Sequence, residues 1–132
     1  MTVLLIDVAN VVGARPDGWW RDRAGATTRL LARLAGLAGR VVPGPDGAAV
    51  RCAELVAVVE GQAKAASAPD GVTVVRAEGS GDDALAALAA TRSGEDLLMV
   101  TADRGLRARL PEGTAVTGPG WLLAVLDEAD RA

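Results

Sequence analysis

Short apolar runs alternate with longer segments of helical spacing along the chain. Val3 to Ile6 is too short for a helix, and it predicts a buried strand that ends at Asp7. Runs of the same kind predict four further strands at 55–59, 72–75, 97–101 and 114–117. The alternation of strands with helical segments indicates an α/β fold, a three-layer doubly wound sheet that is mostly parallel and has helices on both faces.

The clearest helical pattern extends from about Trp20 to Ala38, where leucines and alanines recur every three or four positions and form one buried stripe. Before it, Val11 to Gly18 is rich in glycine and proline and reads as a surface loop. The turn cluster from Pro43 to Gly47 indicates a surface excursion that could be the tip of a short hairpin. Further helical segments are expected at 62–68, 84–91, 105–110 and 121–129.

The length and composition of the chain predict the number of domains and the residue types in the core. A chain of 132 residues predicts a single domain over 1–132 with one core. Half of the residues are hydrophobic, yet there is no Phe or Tyr and there are only three Trp. The core must therefore be built from Val, Leu, Ile and Ala, which suits a parallel sheet covered by helices.

The complete absence of histidine excludes several kinds of chemistry. Ser-His-Asp and Cys-His nucleophilic catalysis, His-containing zinc sites and imidazole general bases all require that residue. The chain also has no Gly-x-x-x-x-Gly-Lys-Ser/Thr phosphate loop. If the protein is an enzyme, carboxylates are expected to carry its chemistry.

Charge and cysteine content bear on location and partners. The net charge of −3 provides no global basic field, so any nucleic-acid contact must be local. The lone Cys52 cannot form an internal disulfide, and with no signal peptide in view we expect a cytoplasmic protein. No apolar run approaches the roughly 20 residues of a membrane span, so we expect no membrane partner.

Acidic residues follow the predicted strands. Asp7, Glu60 and Asp103 come at or just after the ends of the first, second and fourth strands, and Asp82 and Asp83 open the helix after the third. The carboxyl ends of parallel strands meet at one edge, where ligands bind in open α/β sheets. Two carboxylates about 4 Å apart repel by about 4 kcal/mol at an effective dielectric near 20, and a divalent cation would relieve that repulsion. Oxygen-only ligands favour Mg²⁺ or Mn²⁺, ions that promote phosphodiester hydrolysis.

Each acid also has a structural interpretation. Asp7 could cap the turn that follows its strand, and Asp103 could be the N-cap of the next helix. Asp82 and Asp83 could serve only the helix dipole, and Glu60 could lie in an exposed turn with Gly61.

Three segments together resemble the PIN-like superfamily, and especially its NYN-domain branch: Asp7-Val8-Ala9-Asn10, Gly81-Asp82-Asp83-Ala84-Leu85-Ala86 and Val100-Thr101-Ala102-Asp103-Arg104. The resemblance covers Val3 to about Leu110. It implies a metal-dependent nuclease that usually acts on RNA, with the predicted strands in the order 3-2-1-4-5. One departure is Ala102, since many members place the aspartate directly after Ser or Thr.

By position, the resemblance implies that Asp7, Asp83 and Asp103 are catalytic metal ligands, with Asp82 sharing or replacing the role of Asp83. Glu60 would correspond to an additional acid. Asn10 would orient Asp7 or a phosphate, and Thr101 would form a hydrogen bond near the substrate.

A loop rich in tryptophan and arginine follows the first strand and should overhang the same edge. Two Trp and three Arg suit base stacking and phosphate contact, and an arginine after Asp103 could add to them. Alternatively, one Trp packs on the sheet while the arginines pair with Asp17 and Asp22 or simply face solvent. The candidate substrate-binding residues are Arg15, Trp19, Trp20, Arg21, Arg23 and Arg104, together with Thr101.

The sequence thus favours a Mg²⁺- or Mn²⁺-dependent ribonuclease with RNA as its partner. The acidic pI near 4.9 keeps open a metal-dependent phosphohydrolase that acts on nucleotides, because RNA affinity depends on phosphate neutralisation. A non-catalytic domain that binds RNA or an unidentified protein is the third hypothesis. The Ala/Leu-rich helices could support a homodimer, although they are more simply part of the core.

Overall fold

A computed structural model describes residues 1–131 and shows a six-stranded sheet. The strands are β1 (Thr2–Asp7), β2 (Val41–Pro43), β3 (Ala49–Val59), β4 (Thr73–Arg76), β5 (Leu97–Val100) and β6 (Ala115–Thr117). β1 is central and pairs in parallel with β3 and β5. β4 pairs in parallel with β3, and β6 with β5. Only β2 is antiparallel, against the first residues of β3, so the expected mostly parallel α/β sheet is confirmed.

Helices cover both faces of this sheet. They are α1 (Val8–Val12), α2 (Arg23–Ala35), α3 (Gly81–Thr91), α4 (Arg104–Arg109) and α5 (Pro119–Arg131). Alternate residues of β1 point to opposite faces, as the period of two in a strand requires. Leu4 and Ile6 pack in the core that α1, α2 and α5 cover, whereas Val3 and Leu5 pack in the core beneath α3 and α4.

The segment after β1 differs from the expectation. The predicted loop from Val11 to Gly18 begins inside α1. The predicted helix from Trp20 to Ala38 is divided into a 3-10 turn at Trp19–Arg21 and α2, because Asp22 leaves the helical conformation at φ −152° and caps α2. Its Oδ1 accepts a 2.9 Å hydrogen bond from the Gly25 N–H, which satisfies one of the free donors of the first turn.

The second predicted strand is longer than its apolar run. β3 begins at Ala49, six residues before Leu55, because its first half alternates between exposed and more buried positions while pairing with β2. The turn cluster between β2 and β3 is therefore the tip of a hairpin. Gly47 has φ +89° in this turn, a conformation that favours glycine.

The segment after β3 forms less helix than the sequence predicts. The helical segment predicted at 62–68 is a 3-10 turn at Gly61–Ala65. Across residues 1–131, none of the helices has the length and apolar character needed to cross a membrane.

Candidate active site at the carboxyl edge of the sheet

Asp7 ends the central strand with a buried carboxylate that is 3% exposed. Although it precedes α1, its side chain makes no capping hydrogen bond. Instead, Asp7 Oδ2 accepts a 2.8 Å hydrogen bond from the Thr101 hydroxyl at the end of β5. The neighbouring strand therefore holds the Asp7 side chain, while the Asn10 backbone N–H in the first turn of α1 lies close enough to lower its pKa.

Thr101 forms hydrogen bonds with three residues at this edge of the sheet. Its hydroxyl oxygen also accepts a 3.1 Å hydrogen bond from the Asp103 N–H, and its own N–H donates to the Thr117 carbonyl. Thr101 has no solvent-exposed surface. Thr101 therefore forms its hydrogen bond beneath Asp7, and its contact with a substrate stays a prediction.

Asp103 is half-buried and has the capping role that its sequence position allowed. Its Oδ1 accepts a 2.9 Å hydrogen bond from the Leu106 N–H at the start of α4. The same carboxylate approaches Asp82, whose pKa it raises both by charge and by a shared hydrogen bond. Capping and membership of the acidic site are thus compatible for Asp103.

Four acids from different elements occur at this edge of the sheet, and the pKa values of two of them are raised. Burial raises the pKa of Asp82 first, followed by the charges of Asp103, Asp7 and Glu60. Burial is also the main cause of the raised pKa of Asp7. The Thr101 hydroxyl and the Asn10 backbone N–H oppose that rise, and Glu60 and Asp103 add to it. Asp7, Glu60, Asp82 and Asp103 are called the acid cluster below.

Glu60 fixes the start of α3 relative to β3. Its Oε2 accepts a 2.6 Å hydrogen bond from the Gly81 N–H, the first residue of that helix. A carboxylate at a helix N-terminus is stabilised by the helix dipole. A Cβ at position 81 would lie 3.2 Å from Glu60 Cδ, so glycine allows this close approach. Gly81, which belongs to one of the three motifs but received no role from the sequence, is therefore part of the site's framework.

Asp83 lies outside the acid cluster. Its side chain is 72% exposed and forms a 2.9 Å ion pair with Arg109 Nη1 on α4. The cause is helical geometry: Asp83 shares its face with the exposed Ala87 and Ala90. The structure therefore places Asp82, and not Asp83, beside Asp7 and Asp103, and Asp82 is the alternative that the sequence left open.

The spacing of apolar residues in α3 contains the signal that separates the two aspartates. The buried residues Leu85 and Ala89 define the inner face, and Asp82 lies three residues before Leu85. Ser80 caps the helix by accepting a 3.2 Å hydrogen bond from the Asp83 N–H. Only this half of the expected capping box forms, since the Asp83 carboxylate pairs with Arg109.

Asn10 supports the loop that carries Asp103. Its Oδ1 accepts a 2.9 Å hydrogen bond from the Ala102 N–H, which joins α1 to the segment after β5. Since the Ala102 N–H is a donor, this bond also fixes which side-chain atom is the oxygen. Asn10 thus orients the loop after β5 through its side chain, whereas its contact with Asp7 is through the backbone.

The two neighbouring tryptophans form an edge-to-face pair with ring centroids 5.9 Å apart. Each carries a guanidinium over its ring, Arg23 at 5.2 Å from the centroid of Trp19 and Arg21 at 5.8 Å from that of Trp20. Trp20 is 51% exposed and Trp19 is half-buried, so the two rings differ in accessibility as expected. Within residues 1–131 none of these arginines pairs with Asp17 or Asp22; the partners are the indole rings.

Two other predicted substrate contacts occupy different positions. Arg15 forms a 2.6 Å ion pair with Asp127 of α5, which Arg33 also contacts at 3.0 Å. Arg15 is therefore part of an ion-pair network between the Trp-rich loop and α5, and its contact with a substrate stays a prediction. Arg104 is exposed at the first position of α4, directly after Asp103, and its phosphate contact stays a prediction.

The donor chemistry of the acid cluster suits a hard cation. Carboxylate oxygens are the ligands that Mg²⁺ and Mn²⁺ prefer, and no histidine is present to favour zinc. Within residues 1–131, however, no three His, Cys, Asp or Glu side chains are arranged as a ready coordination shell. The residues thus fit a metal by type, and binding would have to bring the carboxylates closer.

Comparison with known proteins identifies the fold. No family model and no curated protein sequence matches this chain. A crystal structure of Rae1 (YacP) from Bacillus subtilis superposes with a TM-score of 0.71 and 16% identity, covering 99% of this chain and 76% of that one. A single-substitution mutant of the same protein gives 0.69 and 17%, covering 99% and 78%. The chain therefore shares the fold of Rae1 over nearly its whole length.

Proposed function

We propose that this protein is a metal-dependent nuclease that hydrolyses phosphodiester bonds in RNA. The observation that carries the proposal is the acid cluster, whose four carboxylates come from the ends of β1 and β3, the start of α3 and the N-cap of α4. These elements meet at the carboxyl edge of the sheet, where open α/β folds bind their ligands. The resemblance of the three acidic motifs to PIN-like and NYN domains supports the same reaction.

A divalent cation accounts for the placement of these acids. Burial raises the pKa of Asp7 and of Asp82, and the charges of Glu60 and Asp103 add to both, so these two carboxylates are electrostatically unfavourable without a cation. Asp7, Asp82 and Asp103 would hold Mg²⁺ or Mn²⁺, with Glu60 assisting. Such an ion polarises a phosphate oxygen and lowers the pKa of a bound water.

The protein's own groups keep this edge in position. Thr101 orients Asp7 from below, and Asn10 holds the loop in front of Asp103. Glu60 holds the N-terminus of α3 and so places Asp82. The exposed Arg104 is placed to contact a phosphate beside Asp103. Because these contacts join five different elements, the site depends on the tertiary fold rather than on one loop.

Cleavage assays with the full chain test the proposal. RNA oligomers and nucleoside triphosphates are incubated separately with Mn²⁺, with Mg²⁺ and with EDTA. We expect RNA cleavage that requires the metal and is abolished in Asp7→Asn. Asp70→Asn is the matched control, since this exposed aspartate precedes β4 at the opposite edge. Release of phosphate from nucleotides alone would support a nucleotide phosphohydrolase, and RNA binding without turnover would support a binding domain.

A further inference from the structure

A cleft beside the acid cluster joins the cluster to the first tryptophan. It has a volume of about 330 Å³ and lies between α1, the start of α2 and the turn after β3. We call it the stacking cleft; among its lining residues are Val12, Trp19, Arg23, Thr27 and Glu60. Its volume is at the lower end of the range for small-ligand sites.

Glu60 makes this cleft continuous with the proposed reaction site. Glu60 lines the cleft, and its Oε2 accepts a 2.6 Å hydrogen bond from the N–H of Gly81, the residue directly before Asp82. Val8 and Ala9, which follow Asp7 directly, line the same cleft. A group bound there would therefore lie next to the acid cluster.

The chemistry of the walls suits a flat, aromatic and partly polar ligand. Trp19 provides an indole and Arg23 a guanidinium plane, and both surfaces stack on nucleobases. Apolar side chains of α1 close one side, while the half-buried Glu60 offers an acceptor for a base edge. Outside the cleft, the exposed Trp20 and the Arg21 over it repeat the same pair of surfaces for a neighbouring base.

We propose that the stacking cleft binds an unpaired nucleobase next to the scissile phosphate, with Trp20 stacking on the adjacent base. The inference rests on the nuclease function proposed above and makes single-stranded RNA its substrate. A duplex is a poor ligand, because its bases are already stacked and paired and cannot enter the cleft. This arrangement also explains how a protein of net charge −3 binds RNA, since base stacking supplies affinity that does not depend on a basic surface.

Binding measured without turnover tests this proposal separately from the nuclease activity. Fluorescence anisotropy with a labelled oligouridylate of ten nucleotides is recorded in EDTA, so that no cleavage is needed. The competitor is the same RNA annealed to its complement. We expect the single strand to bind at least tenfold more tightly than the duplex.

Substitutions in the two Trp–Arg pairs locate the contact. Trp20→Ala, at an exposed position, should weaken single-strand binding about 5- to 150-fold, the range expected for loss of one stacked base. Arg23→Gln should weaken binding more than Arg29→Gln, the matched control, which removes the same charge from an exposed position of α2 that does not line the cleft. Trp19→Phe keeps an aromatic ring in the half-buried position and should retain most of the affinity.

The outcomes distinguish the two proposals. If binding depends on the stacking residues but the protein does not cleave RNA, the base-binding role of the cleft stands and the nuclease function is rejected. If the protein cleaves RNA but Trp20→Ala and Arg23→Gln each change the binding affinity by less than twofold, the nuclease function stands. The base-binding role of the cleft is then overturned. Equal affinity for the duplex and the single strand would also overturn it.

Discussion

Asp7 and Thr101, which are 94 positions apart in the sequence, meet through a 2.8 Å hydrogen bond at the carboxyl ends of adjacent parallel strands. Both side chains are buried, and the hydroxyl oxygen that donates to Asp7 also accepts from the Asp103 backbone. The position of one acid of the cluster is thereby coupled to the position of another. The first four predictions concern the groups that hold this edge and its neighbouring ion pairs together.

Removing the Thr101 hydroxyl should loosen Asp7 without changing the cluster's charge. Thr101→Val has a similar volume but leaves a buried carboxylate without its donor, so we expect a loss of about 2 kcal/mol in the free energy of unfolding. We expect kcat for RNA cleavage to fall by about tenfold or more, as for other groups that orient ligands. Urea unfolding and steady-state kinetics measure the two effects. Thr101→Ser, which retains the hydroxyl, should recover most of both; failure of Ser to rescue kcat would argue against positioning.

Asp7→Asn should stabilise the metal-free protein while removing activity. The pKa of Asp7 is raised in the folded state, chiefly by burial, so ionising this group opposes folding at any pH above its ordinary value near 3.8. Asparagine carries no charge and still offers an oxygen to Thr101. We therefore expect the Tm at pH 7 in EDTA to rise by a few degrees and the difference to disappear below pH 3. A lower Tm for the variant at pH 7 would contradict this electrostatic account.

Glu60 should contribute stability through its hydrogen bond to Gly81. Glu60→Ala leaves the N–H at the start of α3 without its partner, and we expect a loss of about 1–2 kcal/mol in the free energy of unfolding. Glu60→Gln keeps an acceptor oxygen and relieves repulsion within the cluster, so its stability should be close to that of the native chain. Chemical denaturation of both variants measures the difference. Equal stability of the two variants would mean that the hydrogen bond contributes nothing.

The ion pairs of Asp127 predict a pH-dependent contribution to stability at the outer face. Hydrogen bonds from Arg15 and Arg33 lower the pKa of Asp127 to about 2. A carboxyl group with a lowered pKa stabilises the folded state above its ordinary value of 3.8, and this contribution is lost as the pH falls toward 2. Asp127→Asn should therefore lower the Tm at pH 6 and have no effect near pH 2. Differential scanning calorimetry across this range checks it, and an effect independent of pH would point to packing instead.

The sequence predicted the features that depend on local pattern. The apolar runs that end at Asp7 and Val100 are strands of a mostly parallel sheet, because burial on both faces leaves few alternatives for such runs. The meeting of Asp7 with Asp103 followed from the rule that parallel strands bring their carboxyl ends together. The longer β3 was missed, since its first half resembles an exposed loop when its partner β2 is not known.

The features of the site that were not predicted depend on the direction of a side chain or on a partner that is distant in the sequence. Asp82 and Asp83 are adjacent, and only the buried face of α3 determines which one joins the cluster. Arg15 belongs to the loop expected over the site, yet Asp127, at a separation of 112 residues, holds it elsewhere. Neither relationship is visible in the motifs themselves. The first could have been inferred from the spacing to Leu85, whereas the second required the tertiary fold.

Asp82, and not Asp83, is proposed to join Asp7 and Asp103 in phosphodiester hydrolysis. The most direct measurement compares Mn²⁺-dependent RNA cleavage by the native chain, Asp82→Asn and Asp83→Asn at equal concentration. The account predicts that Asp82→Asn lowers turnover by about 100-fold or more, the scale for losing one preorganised charged group, while Asp83→Asn stays within a few-fold of the native rate. Loss of activity in Asp83→Asn with an active Asp82→Asn, or equal activity in all three proteins, would contradict it.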